Sequence, residues 1–184
     1  AEIPLVDFLP HPQDAVENFY SQLLEFARSL RNPWLNPLVT GIIPDPQIAP
    51  RYKRAPAAKV MHHAYIGGLI EHVAGLCSMA QRMAAHYPEL DLDLLLTVAL
   101  LHDLGKMAIP DTILEKPGPL NSHEREFIER HTLTGERILR IAPALGAIAG
   151  LVRASHERYD GTGYPDGLAG EAIPPGPRIV IACA

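Results

Sequence analysis

Cysteine is almost absent from the 184 residues, with Cys77 and Cys183 the only two. Two thiols build neither a disulfide framework nor a paired-thiolate zinc motif. Free thiols fit a reducing cytoplasm. Cys77 sits near Leu76 and Met79 and reads as a small buried hydrophobe. No apolar run approaches the roughly 20 residues that cross a bilayer; the oiliest stretch, Leu94 to Leu101, is far shorter. The N-terminus lacks the basic, apolar and small-residue order of a signal peptide. Positive charge is not in excess. The net charge of −5 excludes a strong footprint for duplex nucleic acid. A local basic cluster of Arg51, Lys53, Arg54 and Lys59 reads as a solvated face. Strand-like alternation of useful length and internal repeats are both missing. The 47% hydrophobic content excludes disorder and suffices for a core. The chain begins at Ala1 rather than Met, as expected of a processed or excised piece.

What is present is helical periodicity, so the fold class is all-α. Pro4, Pro10 and Pro12 make residues 2 to 12 an extended lead-in. Asp14 can cap a helix to about Arg31, with Val16, Phe19, Leu23, Leu24, Phe26 and Leu30 on its apolar side. A short helix or turn covers Trp34 to Ile43, followed by the proline-rich stretch Pro44 to Pro50. A long helical region spans about Ala57 to His86, with Gly67-Gly68 inside it as a kink or a close backbone approach. Asp91 caps a helix that is apolar nearly all round, hence central, and runs to Gly105. Asn121 with Glu124 forms a capping box for a helix through about Arg140. Pro143 opens another that reaches about Glu157. Residues 160 to 177 form a loop, and a last helix starts at Arg178.

Nine histidines give the chain its chemistry. The oily central helix ends in His102-Asp103-Leu104-Gly105-Lys106. A His-Asp pair there is costly unless something binds it, and the negative C-terminal end of a helix suits a cation. One carboxylate beside an imidazole can bridge two metals. His72, His131 and His156 each lie on or at the end of a predicted helix, and helices can aim such side chains at one bundle centre. Mixed imidazole and carboxylate ligation suits one or two divalent ions of Fe, Mn, Zn, Co or Ni. Such a pair activates water and neutralises phosphoryl oxygens. Lys106 either contacts a phosphate or is an exposed C-cap lysine. His11, His86 and His123 read as surface residues. The His62-His63 pair is open between second sphere, substrate contact and solvated face.

His102-Asp103 with His72 resembles the HD superfamily of metal-dependent phosphohydrolases, in two pieces. Up to about residue 105 the chain is similar to YhaM-type 3'-5' exoribonucleases. The matching residues are Arg54-Ala55-Pro56-Ala57-Ala58-Lys59, His62-His63-Ala64-Tyr65-Ile66-Gly67-Gly68-Leu69-Ile70-Glu71-His72 and Leu100 to Lys106. From about Lys106 it resembles the HD-GYP family of cyclic di-GMP phosphodiesterases. That likeness rests on Ile109-Pro110-Asp111, Leu114 to Leu120, His131 with Gly135, and His156 to Leu168 with Gly163-Tyr164-Pro165. Such a composite implies a natural fusion or a built chimera, with an N-terminal helical extension over residues 1–50 and an HD domain over 51–184.

The resemblance implies that His72, His102, Asp103, His131 and His156 are metal ligands. It makes Asp103 and Lys106 catalytic, and lets Lys106, Arg158, Lys116 and His63 contact substrate. For Lys116 a plain surface role is the simpler alternative. The expected reaction is phosphodiester hydrolysis by metal-activated water, on cyclic di-GMP first and on RNA ends or small nucleotides second. The family pattern has another His where this chain has Ser155, and an aspartate where it has Ala184. A third-metal glutamate falls at Gly68, which limits the site to two ions. Lost ligands imply weakened metal binding or activity, and a non-catalytic module that binds a nucleotide or a partner is the rival reading. The loop from Asp160 to Gly167 is either a simple turn or a lip over the site. Residues 14 to 43 either pack on the same core or mediate a homodimer. A cytoplasmic protein without membrane contact is expected.

Overall fold

The computed structural model of the chain describes residues 13–57, 65, 67–114, 116 and 118–183. The lead-in with His11, the basic Lys59, the His62-His63 pair and Ala184 lie outside the described residues. Among the described residues the fold is all-α, and its one β feature is an isolated bridge between Asp160 and Ala169. No described helix is long and apolar enough to cross a membrane.

α1 (Gln13–Ser29) and α2 (Leu35–Ile42) open the chain. Their Tyr20, Leu23, Ala27, Leu35 and Val39, with Leu30 from the link between them, are buried in the same core as Leu69, Ile70, Val73 and the leucines of the central helix. Residues 14 to 43 thus share a core with the rest, as one of the two expectations for them had it. α3 (Ala49–Arg54) was not expected, because Pro44, Pro46 and Pro50 argue against a helix. Pro50 sits in the first turn, where its missing N–H costs nothing.

The Gly67-Gly68 pair is not a kink inside a long helix. α4 (Gly68–His86) begins there, with Gly67 at φ +87° as its left-handed N-cap. A Cβ on Gly67 would stand 2.9 Å from Val16 Cγ2, so glycine is needed for conformation and for space. α5 (Leu92–Leu101) is capped by Asp91, whose side chain accepts the Leu94 N–H at 2.9 Å. Leu95 to Leu101 are all buried, and α5 is the central helix. It stops at Leu101 rather than Gly105, and a 3-10 helix, Leu104–Ala108, follows. The buried Tyr52 of α3 donates its hydroxyl to the Leu100 carbonyl at 2.9 Å, satisfying one of the acceptors that the helix end leaves open.

α6 (Asp111–Leu114) is a single turn. The Asn121/Glu124 capping box is present on α7 (Ser122–Glu129). The expected helix through Arg140 is instead two, since the chain bends at Arg130 and α8 (His131–Leu139) starts afresh. A 3-10 turn, Pro143–Leu145, leads into α9 (Gly146–Arg153), which ends in a second 3-10 turn, Ala154–His156. α10 (Pro175–Cys183) begins three residues earlier than expected, its prolines lying at the start. Cys77 is fully buried, and burial pushes its thiol up, which makes it inert.

Candidate metal centre

Asp103 follows the end of α5 and is 1% exposed. Its two carboxylate oxygens face different partners. Oδ2 lies 3.3 Å from His102 Nε2 and 2.7 Å from Lys106 Nζ. Oδ1 lies 3.0 Å from His131 Nε2 and 3.3 Å from His156 Nε2. Two donor triads result, His72–His102–Asp103 and Asp103–His131–His156, each with its donor atoms within 4.8 Å of one another. The rings run in a chain. His72 and His102 centroids are 5.6 Å apart, His102 and His156 5.9 Å, and His156 and His131 4.7 Å. Each imidazole comes from a different element: α4, the end of α5, the start of α8, and the 3-10 turn after α9.

Local chemistry orients these rings. His102 Nδ1 sits 2.9 Å from the Ala99 carbonyl and His131 Nδ1 2.7 Å from the Ile128 carbonyl. A carbonyl only accepts, so both Nδ1 atoms carry the proton and both Nε2 atoms turn an unprotonated lone pair toward the centre. Buried His131 Nε2 has no hydrogen-bond partner among the described residues, despite its proximity to Asp103. An orphaned buried nitrogen costs about 1–3 kcal/mol. Together with the mixed imidazole and carboxylate set, it fits a divalent cation. Burial raises the Asp103 carboxyl, but the adjoining His102, the Lys106 ammonium and the contact with His131 outweigh it and hold the group well below the usual carboxylate range. Burial pushes His156 down to about 4, against the pull of Asp103, so the ring is neutral and able to ligate at neutral pH.

Lys106 is not an exposed C-cap lysine. It is 5% exposed, and its ammonium donates to Asp103 at 2.7 Å and to the Ala57 carbonyl at 2.6 Å. It lines, with His131, His156 and Tyr164, a pocket of about 320 Å³ whose other walls include Leu114, Leu120, Arg125 and Ile128. Lys116 and Arg158 are not brought to this pocket. Lys116 Nζ is bonded to both Glu124 oxygens, at 2.8 and 2.6 Å. Arg158 donates to Thr162 Oγ1 at 3.0 Å within its own loop. His63 lies outside the described residues. Ser155 is buried and gives its hydroxyl to the Val152 carbonyl at 2.8 Å, so it offers the centre nothing.

The loop after His156 acts as a wall. Tyr164 stacks on His156, with centroids 5.1 Å apart and planes 9° off parallel. What holds the loop is Glu157, fully buried, which accepts the N–H groups of Asp166 at 2.7 Å and Leu168 at 2.8 Å. Arg153 adds a two-pronged bond to Asp166 at 2.7 and 2.6 Å. Sequence reasoning gave Glu157, Tyr164 and Arg125 no role. For Glu157 a signal existed, since a carboxylate directly before a Gly-rich turn is a candidate acceptor for loose N–H groups. Glu157→Gln turns one acceptor into a donor facing an N–H. We expect it to lower stability by about 1–3 kcal/mol in a denaturant titration, with the change in slope small because the core is untouched.

A family model described as HD domain matches residues 58–183 of the chain. Among curated relatives, the cyclic di-GMP phosphodiesterase response regulator RpfG of Xanthomonas campestris pv. campestris is 44% identical over 115 residues, 60% of this chain and 29% of that protein. A 3'3'-cGAMP-specific phosphodiesterase 2 of Vibrio cholerae is 39% identical over 112 residues, 59% of this chain and 22% of that protein. A cyclic di-GMP phosphodiesterase of Thermotoga maritima is 49% identical over 78 residues, 41% of this chain and 21% of that protein. The chain therefore spans less than a third of the length of these relatives.

Proposed function

This chain belongs to the HD domain family, and from that membership we propose that it is a metal-dependent phosphodiesterase acting on cyclic dinucleotides, with cyclic di-GMP as the first substrate. The observation that carries the reading is the meeting of two donor triads on the two oxygens of one buried carboxylate. His72, His102 and Asp103 would hold one ion, and Asp103, His131 and His156 the other. Bound there, divalent ions lower the pKa of water to give a nucleophile at neutral pH and neutralise phosphoryl charge.

The chain's own residues do the rest. Asp103 holds both donor triads in register and keeps Lys106 at the pocket wall. The buried Lys106 ammonium places fixed positive charge at the pocket wall where a phosphodiester would lie. Leu114, Leu120 and Ile128 give apolar surface for a nucleobase, and Tyr164 closes the side next to His156. The relatives named for cyclic di-GMP and 3'3'-cGAMP support this substrate class. One observation favours a second reading, a module that binds a nucleotide without turning it over. Ser155, spent on the Val152 carbonyl, supplies no donor to the second triad.

Hydrolysis assays with Mn(II) or Fe(II), on cyclic di-GMP, 3'3'-cGAMP, a short RNA and an aryl phosphodiester, separate the readings. Turnover of the cyclic dinucleotides is expected. Turnover of RNA alone would move the assignment to an exoribonuclease. With no turnover at any metal, binding without catalysis would be the surviving reading.

A further inference from the structure

The α7 wall of the pocket carries two opposite charges that hydrolysis does not use. Arg125, Ile128 and Glu129 all line the pocket, and they stand at i, i+3 and i+4 on one face of the helix. The other acids of α7 are spent elsewhere. Glu124 takes the Lys116 ammonium at 2.8 and 2.6 Å, and Glu126 takes Arg130 at 2.6 Å. The Arg125 guanidinium and the Glu129 carboxylate make no ion pair or hydrogen bond among the described residues, with each other or with a third group. Burial first, then the charges of Asp103 and Glu129, raise the Tyr164 phenol, so the field of the Glu129 carboxylate reaches the pocket interior.

A free carboxylate in a pocket for an anionic ligand is repulsive unless donors on that ligand meet it. Guanine offers a carboxylate two adjacent donors, N1–H and N2–H. Beside them it offers a guanidinium two acceptors, O6 and N7. Resting on the cyclic dinucleotide reading above, we infer that Arg125 and Glu129 select guanine as the base held in this pocket. Glu129 accepts N1–H and N2–H, Arg125 donates to O6 and N7, and Ile128 with Leu114 and Leu120 covers the base plane. Adenine reverses the pattern. Its N1 is an acceptor where the carboxylate needs a donor, and its N6 amino group meets the guanidinium, which only donates.

The test is equilibrium binding of three slowly hydrolysed bis-phosphorothioate dinucleotides to the Mn-loaded chain: cyclic di-GMP, cyclic di-AMP and cyclic di-IMP, whose hypoxanthine lacks only the N2 amino group. The unsubstituted chain should bind them in the order guanine, hypoxanthine, adenine, with about tenfold or more between first and last, the scale of one charge-assisted bond. Arg125→Ala should weaken the guanine and hypoxanthine ligands alike, by about tenfold, and leave the adenine ligand unchanged. Glu129→Gln should weaken the guanine ligand most and narrow its gap over hypoxanthine. A carboxylate that only repelled phosphate would do the opposite, and its loss would tighten all three. That tightening, equal weakening of all three by Arg125→Ala, no preference among the bases, or no binding by the unsubstituted chain would each overturn the assignment. If guanine preference depends on both residues but no diester is turned over, the hydrolytic reading fails and the base site stands. If cyclic di-GMP is turned over and both variants keep the base preference of the unsubstituted chain, the base site fails and hydrolysis stands.

Discussion

Gly105→Ala is expected to give a chain that melts far below the unsubstituted one and holds no ordered centre. A Cβ built on Gly105 would stand 1.9 Å from the His131 carbonyl oxygen, 2.8 Å from its carbonyl carbon and 2.7 Å from the Gly135 nitrogen. All three are backbone atoms, so no side-chain rotation relieves the contact. The 3-10 helix that carries Lys106 must therefore move away from the start of α8, which carries His131. Overpacking of this kind costs about 3 kcal/mol or more. For a chain of this size that is roughly 6–12 °C in melting temperature. The same displacement pulls His131 from Asp103, so bound metal measured after purification should fall with stability. Gly146→Ala is the control. Nothing lies within 4 Å of a Cβ there, and the position is helical, so no loss is expected.

That clash also explains what was and was not legible in the sequence. That polar groups would gather at His102-Asp103 could be read, because at the end of a uniformly oily helix it is a costly pair that asks for a partner, and His72, His131 and His156 do lie beside it. The positions of α1, α2 and α5 were legible from apolar spacing and from the Asp91 cap, whose side chain bonds as expected. The close approach of residues 105 and 131, by contrast, is a long-range contact, which no local signal carries. The bend at Arg130 that splits α7 from α8 is of the same kind, since it places His131 at a helix start facing Asp103. Gly67-Gly68 was read as a cost within a helix. Its meaning as a start depended on a left-handed φ and on Val16, fifty residues away. Lys106 stayed open between a phosphate contact and an exposed end-of-helix cation, because sequence alone cannot show that Asp103 and the Ala57 carbonyl cover it. Composition identifies which groups are expensive to bury, and only tertiary packing reveals which neighbours compensate them.

Asp103→Asn separates the two jobs of the central carboxylate. The amide keeps the shape but presents a donor either to His131 and His156 or to His102 and Lys106, so at least one triad loses its shared ligand. Metal content should fall, and any turnover of a phosphodiester should drop by about 10²–10³-fold or more, the scale of losing one preorganised electrostatic group. Stability should drop as well, for a different reason. The buried Lys106 ammonium, 2.7 Å from Asp103, would keep its charge and lose its counter-ion. Breaking a buried pair from one side costs about 3–5 kcal/mol. Because the Asp103 carboxyl is held below its unfolded value, this stabilisation is fully present above the unfolded carboxylate pKa near 4 and fades only as pH falls through the folded value. The loss in Asp103→Asn should therefore be constant across neutral pH. The double variant Asp103→Asn/Lys106→Met removes the stranded charge. It should regain most of the stability in a double-mutant cycle, while metal binding stays low. If instead the double variant melts no higher than Asp103→Asn, the single substitution is damaging the packing around α5 rather than stranding a charge, and the ion-pair account of Lys106 falls.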